Sequence, residues 1–392
     1  MRLLAAAIAS CVLLATMGLA LRWGGRIEAV ATGVLVASVG SSPYLESFTL
    51  CGELIASLPS VLALVAFTGY LARRQPRFLV LTGLLTGCAV MVKQSAFDGG
   101  LAAVAFLLVT RRRGGIGAAS AVVASALVPV AVAAGTAPRF ADWWHAVVGY
   151  RARDDSLLTG GPVHHLYLLA VSLPAAAIGL SVLVLLAGVG WSRAPLLARI
   201  WLLAALPGVI WGGNFHPHYY LQLVPPLAVL GGFGAPRLSV ERRLAYTAVV
   251  GTAVVATAAL TVPLWFASGS TQARFIWPRD PHLRHQAALA EYLRTHTRPN
   301  QRDYVVWAAA DVYYLADRDP AVPYIWYRNV EAVPGALALV RHTLAARKPA
   351  LVLEVEPAVK LDRSGRTAAI LARDYRLSAL VGGTPVLTPK PG

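Results

Sequence analysis

The sequence predicts an α-helical polytopic membrane protein of about ten transmembrane helices with a C-terminal α/β domain outside the membrane. Three observations predict it. Ten apolar stretches, separated by short arginine-bearing loops, run from Leu3 to about Phe266, and several reach the roughly 17 to 25 residues that a helix needs to cross a bilayer core. Hydrophobic residues make up 57% of the 392-residue chain and charged residues 14%, where a soluble globular domain carries roughly 25% charge. After Phe266 the apolar rhythm stops, and Trp, Tyr, Asp, Arg and Pro return at the density of an ordinary soluble fold. The expected domains are a multispanning 1–266 and a soluble 267–392.

The apolar stretches are Leu3 to Leu21, Ile27 to Gly40, Leu54 to Leu71, Phe78 to Val92, Phe97 to Thr110, Ile116 to Ala137, Leu166 to Val189, Leu197 to Gly213, Tyr219 to Phe233 and Tyr246 to Phe266. The first imitates a secretory signal, with Arg2 before an apolar run. That run continues to Leu21, however, beyond the 7 to 15 residues of a signal's apolar region, so it is read as a helix. The formal charge of +16 sits mostly in the loops, where Arg and Lys set orientation, and it is not a nucleic-acid footprint. Cys11, Cys51 and Cys88 are too few and too scattered for a disulfide framework or a ligand cluster.

Taking alternate loops as cytoplasmic collects Arg22 and Arg26, Arg73, Arg74 and Arg77, Arg111 to Arg113, Arg193 and Arg199, and Arg237, Arg242 and Arg243 on one side. Acids and histidines fall on the other, as the positive-inside rule requires. The outer side then holds the turn from Pro43 to Glu53, the turn from Lys93 to Asp98, the loop from Pro138 to His165, the turn from Asn214 to His218, and the C-terminal domain. Ten spans with an outer C-terminus also place Met1 outside. An odd number of helices is more natural, and the expectation is that an upstream helix is missing from this chain.

The outer turns carry the candidate chemistry. Glu46 lies at the membrane surface, where acids are costly and often functional; Glu53 is read as capping the first turn of the next helix. Lys93, with Gln94 after it, puts a cation at the outer end of an apolar helix, placed to contact a phosphate or to snorkel. In the long loop, Trp143 and Trp144 read as an interfacial anchor. Arg151 and Arg153 are placed to clamp a phosphate or pyrophosphate and Asp154 or Asp155 to act as general base or bind a metal, against the alternative of a solvated loop with internal ion pairs. His216 and His218, with Tyr219, stand at i and i+2, the wrong helical spacing for a shared metal, and read as a hydrogen-bonding wall for a sugar or phosphate. The helix they begin is expected to bend at Pro225 and Pro226. In the C-terminal domain, Arg302 to Trp307 and Ala350 to Val355 read as strands, and Ala308 to Leu315 and Ala336 to Ala346 as helices. Alternating strand and helix imply a small α/β sandwich, in a supporting or acceptor-binding role.

Over Met1 to about Phe266 the chain resembles the GT-C membrane glycosyltransferases that use polyprenyl-phosphate sugars, a group including aminoarabinose transferases and protein mannosyltransferases (glycosyltransferase family 39). The resemblance rests on Arg22-Trp23-Gly24-Gly25-Arg26, on Ser42-Pro43 followed by Glu46, on Gly83 to Gly87 with Val92-Lys93-Gln94, and on His218-Tyr219-Tyr220-Leu221-Gln222-Leu223-Val224-Pro225-Pro226, in that order. It implies transfer of a sugar, with inversion, from a polyprenyl-phosphate donor to an acceptor glycan, lipid or protein on the outer face of the cytoplasmic membrane of a cell envelope. Within it, the residues read above give the donor phosphate to Lys93 with Arg151 or Arg153, and the sugar or acceptor to Glu46, Gln94, His216, His218 and Tyr219. Family members place their catalytic Asp in a first outer loop, which here is expected upstream of Met1. Glu46, Asp154 and Asp155 are the acids that remain as candidates. No cofactor is required, and a divalent metal is compatible. The alternative is a non-catalytic binder of lipid-linked sugar, or a transporter; a transporter should show related halves or mid-span charges, and neither is visible.

Overall fold

The computed structural model describes residues 2–47, 49–110, 114–149, 161–235, 240–278, 280, 282–307 and 310–391. They form two compact units, Met1–Phe266 and Ala267–Gly392.

The first unit is helical: α1 (Arg2–Trp23), α2 (Arg26–Val39), α3 (Gly52–Arg73), α4 (Pro76–Val92), α5 (Asp98–Val109), α6 (Gly115–Thr136), α7 (Phe140–Trp144), α8 (Pro162–Gly190), α9 (Leu196–Ile210), α10 (Val224–Gly232) and α11 (Val240–Phe266). Nine of the ten apolar stretches each overlap one of these helices, and Tyr219 to Phe233 divides between the 3₁₀ segment Pro217–Leu223 and α10. Five helices, Leu3–Trp23, Gly52–Arg73, Gly115–Thr136, Pro162–Gly190 and Glu241–Phe266, are long and apolar enough to cross a membrane. The remaining apolar stretches form shorter helices: α2, α4, α5, α9 and α10 have 14, 17, 12, 15 and 9 residues. All five stop or start at one end of the bundle, where polar turns replace the missing helical length. The chain is a membrane protein.

The prolines explain one further difference. Pro225 and Pro226 do not bend a helix; they occupy the first turn of α10, where a missing N–H costs nothing. Before them, Pro217–Leu223 winds as a 3₁₀ segment. At the opposite end, Pro76 opens α4, and Arg73 and Arg77 both lie over the Phe78 ring, at 5.5 and 5.2 Å. Arg111 to Arg113 and Arg237 lie outside the described residues.

The second unit begins with α12 (Gly269–Ile276) and α13 (Gln286–His296), followed by β1 (Arg302–Val306), α14 (Ala310–Ala316), β2 (Asp319–Pro320), α15 (Tyr327–Ala332), α16 (Ala336–Ala345), β3 (Val352–Glu354), α17 (Ala358–Leu361), α18 (Arg366–Asp374), β4 (Tyr375–Val381) and β5 (Thr384–Pro389). The five strands order β2-β1-β3-β5-β4. β1 runs parallel to β2 and β3, while β5 is antiparallel to β3 and β4. Successive strand residues face opposite ways: Val305 joins Leu289, Leu293 and Val312 in one core, while Tyr304 and Val306 join Val340, Leu344 and Leu371 in the other. The sheet is therefore covered on both faces. The β4–β5 hairpin turns on Gly382 and Gly383, at φ 58° and 86°, the left-handed pair that a two-residue turn requires.

Two buried acids of this unit are shifted in opposite directions. Arg341 grips Asp362 with two nitrogens at 2.9 and 2.7 Å, and Ser364 and Thr367 add further donors; the guanidinium holds that carboxyl well below the usual range. Burial pushes Asp303 up to about 6, against the opposing pull of the Leu351 N–H, the Thr297 hydroxyl and Arg318. A raised carboxyl pKa contributes stability that is fully present below the unfolded value and is lost as pH rises through the folded one. Stability of the β1–β3 core should therefore fall as pH rises from about 4 to about 6, by up to about 3 kcal/mol. Asp311 is shifted upward by burial in the same sense. Asp303→Asn should remove most of that slope, read as hydrogen-exchange protection of the β1 and β3 amides in the full chain after correction for intrinsic exchange.

Candidate functional site

The alternating direction of the helices brings the C-terminal ends of α2, α4 and α9 and the N-terminal ends of α3, α5 and α10 to one end of the bundle. The basic loops containing Arg22, Arg73, Arg74, Arg77 and Arg193 gather at the other end. Small residues let the helix ends at the first end approach: Ala56 of α3, Ala89 of α4 and Ala96 form a buried contact.

Two charge pairs occupy this end. Lys93, which terminates α4, is ion-paired with Glu53 in the first turn of α3. His218 bonds through Nδ1 to Glu46, and its Nε2 lies 3.8 Å from Glu53 Oε1. The Lys93 ammonium also lies 3.7 Å from the centroid of the Tyr219 ring, a cation–π contact. His216 stacks on His218 with centroids 5.4 Å apart, and Tyr219 stands edge-on to both at 5.4 and 5.1 Å. Glu46 and Glu53 are both buried, at 7% and 5% exposure.

The backbone is constrained to deliver these side chains. Glu46 sits at φ 53° and Phe215 at φ 46°, left-handed conformations that cost a non-glycine residue about 1–3 kcal/mol. The turn at Glu46 is closed by Glu46 N–H to Pro43 O at 3.1 Å and by the Thr49 hydroxyl to Glu46 O at 2.7 Å. The segment before His216 is tethered by His165 Nδ1 to Gly213 O at 3.0 Å.

A second, hydrogen-bonded layer adjoins the first. Asp98, at the start of α5, accepts from Trp201 Nε1 at 2.7 Å and from Gln222 Nε2 at 2.9 Å, and Gln222 Nε2 also donates to Ser95 O at 3.2 Å. Gly208 makes this possible, because a Cβ there would stand 2.5 Å from Gln222 Nε2 and 2.6 Å from Ser95 O.

The structure thus unites Glu46, Lys93, His216, His218 and Tyr219, five of the residues singled out from sequence. Gln94 is directed elsewhere: its Nε2 donates to Val147 O at 2.5 Å, which ties the end of α4 to the π-helical turn His145–Gly149 after α7. Arg151, Arg153, Asp154 and Asp155 lie outside the described residues. Glu53, read as a helix cap, is the ion-pair partner of Lys93. Trp201 went unread, and Gln222 was read only as part of the run from His218 to Pro226. Among the described residues no group of three His, Cys, Asp or Glu side chains is arranged to hold a metal ion.

No protein-family profile and no curated protein matches the sequence. Solved structures do match, and the fold they define is that of the GT-C membrane glycosyltransferases. The chain is similar to the aminoarabinose transferase ArnT from Cupriavidus metallidurans in the apo state, with a TM-score of 0.67 and 15% identity, over 100% of this chain and 84% of that one. Against the same protein bound to undecaprenyl phosphate the TM-score is 0.62 and the identity 17%, over 100% and 85%. At such identities the likeness is one of fold.

Removing one member of a buried ion pair leaves the other uncompensated, at a cost of about 3–5 kcal/mol. Lys93→Met should lower the stability of the detergent-solubilised protein by that order, and Glu53→Gln in the same chain should restore much of it. A double-mutant cycle on melting curves measures the coupling, and additive effects would dissolve the pair. Gly208→Ala forces a methyl group against Gln222 and Ser95, and it should cost about 1–3 kcal/mol by overpacking.

Proposed function

We propose that the chain is a membrane glycosyltransferase that moves a sugar from a polyprenyl-phosphate donor to an acceptor hydroxyl on a glycan, lipid or protein. The observation that carries this reading is the Glu46–His218 pair beside Lys93, inside a fold shared with an enzyme whose structure has been solved with undecaprenyl phosphate. A histidine with one ring nitrogen on a carboxylate has its tautomer fixed and its other nitrogen available as a base.

In this reading His218 Nε2 takes the proton of the acceptor hydroxyl while Glu46 holds Nδ1–H. The acceptor oxygen bonds to the anomeric carbon from the face opposite the phosphate, the bond from that carbon to the phosphate oxygen breaks, and the configuration inverts. Lys93 stabilises the charge that gathers on the departing lipid phosphate. His216 and Tyr219 line the sugar side. Arg151 and Arg153 are the further cations that the sequence offers for the phosphate. In this reading the site faces the extracytoplasmic side, which is supported by the segregation of the basic loops to the other end of the bundle, and the C-terminal domain is extracytoplasmic as well.

Transfer of labelled sugar from polyprenyl-phosphate donors, assayed in membranes containing the full chain, tests the reading. His218→Asn should lower kcat by about 10²-fold or more, and Glu46→Gln should alter the pH dependence of kcat while leaving donor binding in place. Lys93→Ala should weaken donor binding. Lipid binding that Lys93→Ala abolishes, with no transfer by the unmodified chain, would replace the enzyme by a binder of lipid-linked sugar.

A further inference from the structure

His218 and Lys93 stand on separate segments, the 3₁₀ segment Pro217–Leu223 and the end of α4. The cation–π contact between Lys93 and Tyr219 spans the two, but it hangs on a flexible ammonium. A buried amide makes the directional connection.

Gln222 belongs to the same 3₁₀ segment as His218 and Tyr219. Its Nε2 donates to Ser95 O at 3.2 Å and to Asp98 Oδ1 at 2.9 Å, so one NH₂ group serves two acceptors on the turn that begins at Lys93. That turn is closed on itself by Ala96 N–H to Lys93 O at 2.9 Å. It is also fixed to the helices around it. Trp201 Nε1 of α9 donates to Asp98 Oδ2 at 2.7 Å, and Gly99 N–H donates to the Ser60 hydroxyl of α3 at 3.1 Å. α3 carries Glu53, and it runs so close that a Cβ on Gly99 would stand 2.4 Å from Ser60 O. Ser95, Asp98, Trp201 and Gln222 are all buried.

The role of the amide separates from that of packing. An apolar side chain of similar length would fill the same place, and it would avoid burying Gln222 Oε1, which has no hydrogen-bond partner among the described residues. What the amide adds is direction, because two N–H bonds fix both the distance and the rotation of the 3₁₀ segment against the Lys93 turn. We propose that Gln222, braced by Asp98 and Trp201, is a positioning residue that acts through His218 and sets the imidazole at a fixed reach from Lys93. Its kinetic consequence rests on the transfer reading given above. A base misplaced by about 1 Å costs on the order of 10²-fold in rate, whereas a lysine meets a phosphate as a point charge and tolerates such a shift.

Gln222→Met in the full chain, assayed in detergent and normalised to the folded fraction, tests the role. The kcat of sugar transfer should fall by about 10- to 100-fold, while KM for the polyprenyl-phosphate donor changes by less than about threefold. Trp201→Phe, which removes the N–H that braces Asp98 and keeps an aromatic ring, should give the same split at smaller size, and it stands in if Gln222→Met fails to fold. An unchanged kcat, or equal losses in kcat and donor affinity, would overturn the proposal. A second readout needs no donor. The imidazole proton that Glu46 holds should give a low-field resonance in protein with isotope-labelled histidine, assigned by its loss in His218→Asn, and Gln222→Met should shift or broaden it. An unmoved resonance would overturn the positioning role; a moved one, with no transfer by the unmodified chain, would uphold the positioning and remove the glycosyltransferase reading.

Discussion

A charge enclosed by apolar helices must be neutralised where it stands, and the end of this bundle that holds Glu46, Glu53, Lys93 and His218 is organised by that requirement. Glu53 enters at the first turn of α3 and Lys93 leaves at the last turn of α4, so the tight α3–α4 packing through Ala56 and Ala89 also brings the two charges together. Glu46 is met by His218, which arrives from the far side of the sequence. Each pair joins segments that the helices alone would not fix in register. Breaking a pair would therefore change both the electrostatics of the site and the way the helix ends are held.

The shortened helices follow from the same requirement. Backbone without regular helical hydrogen bonds is tolerated at membrane depth only where protein surrounds it or it lines a cavity. The turn around Glu46 and the 3₁₀ segment Pro217–Leu223 meet that condition through buried residues such as Leu45, Tyr220 and Leu221. The Ser172 hydroxyl and the Tyr220 phenol lie 3.0 Å apart, and the Thr261 hydroxyl caps Ser41 O at 3.1 Å. These contacts offset the cost of the left-handed residues Glu46 and Phe215. Strain of this kind persists where the surroundings over-determine it, and here it aims a carboxylate and a pair of histidines at one point.

Much of this was legible in the sequence, for reasons that differ by residue. The helices announced themselves because lipid tolerates few charges, so every loop is marked by arginine or by polar turns. Lys93 was legible because a cation at the acidic end of the bundle breaks the segregation that the other loops obey. The histidines were legible as an unusual pair before a proline-rich helix. Glu53 was misread because a glutamate at N2 of a helix has a sufficient local explanation in the dipole, and only tertiary structure reveals the lysine 40 positions on that it faces. Asp98, Trp201 and Gln222 share no sequence neighbourhood, and their network exists only through packing of α5, α9 and the 3₁₀ segment. In the second unit the β4–β5 hairpin went unread although Gly382-Gly383 marks its turn, and β2, two residues long, carries no pattern that could announce it.

The pairings also constrain how a phosphate could be received. Lys93 cannot serve a phosphate fully while it neutralises Glu53, so an arriving lipid phosphate has to share the ammonium or take it. Glu53 then needs another partner within reach, and His218 Nε2 is already 3.8 Å away. A shift of Lys93 toward phosphate would thus be matched by a stronger pull on the imidazole, which lies between the two carboxylates. In the proposed reading, donor binding at Lys93 would therefore change the partners that face His218. Charge neutralisation, which holds the helix ends together, would by this route also couple donor binding to the base.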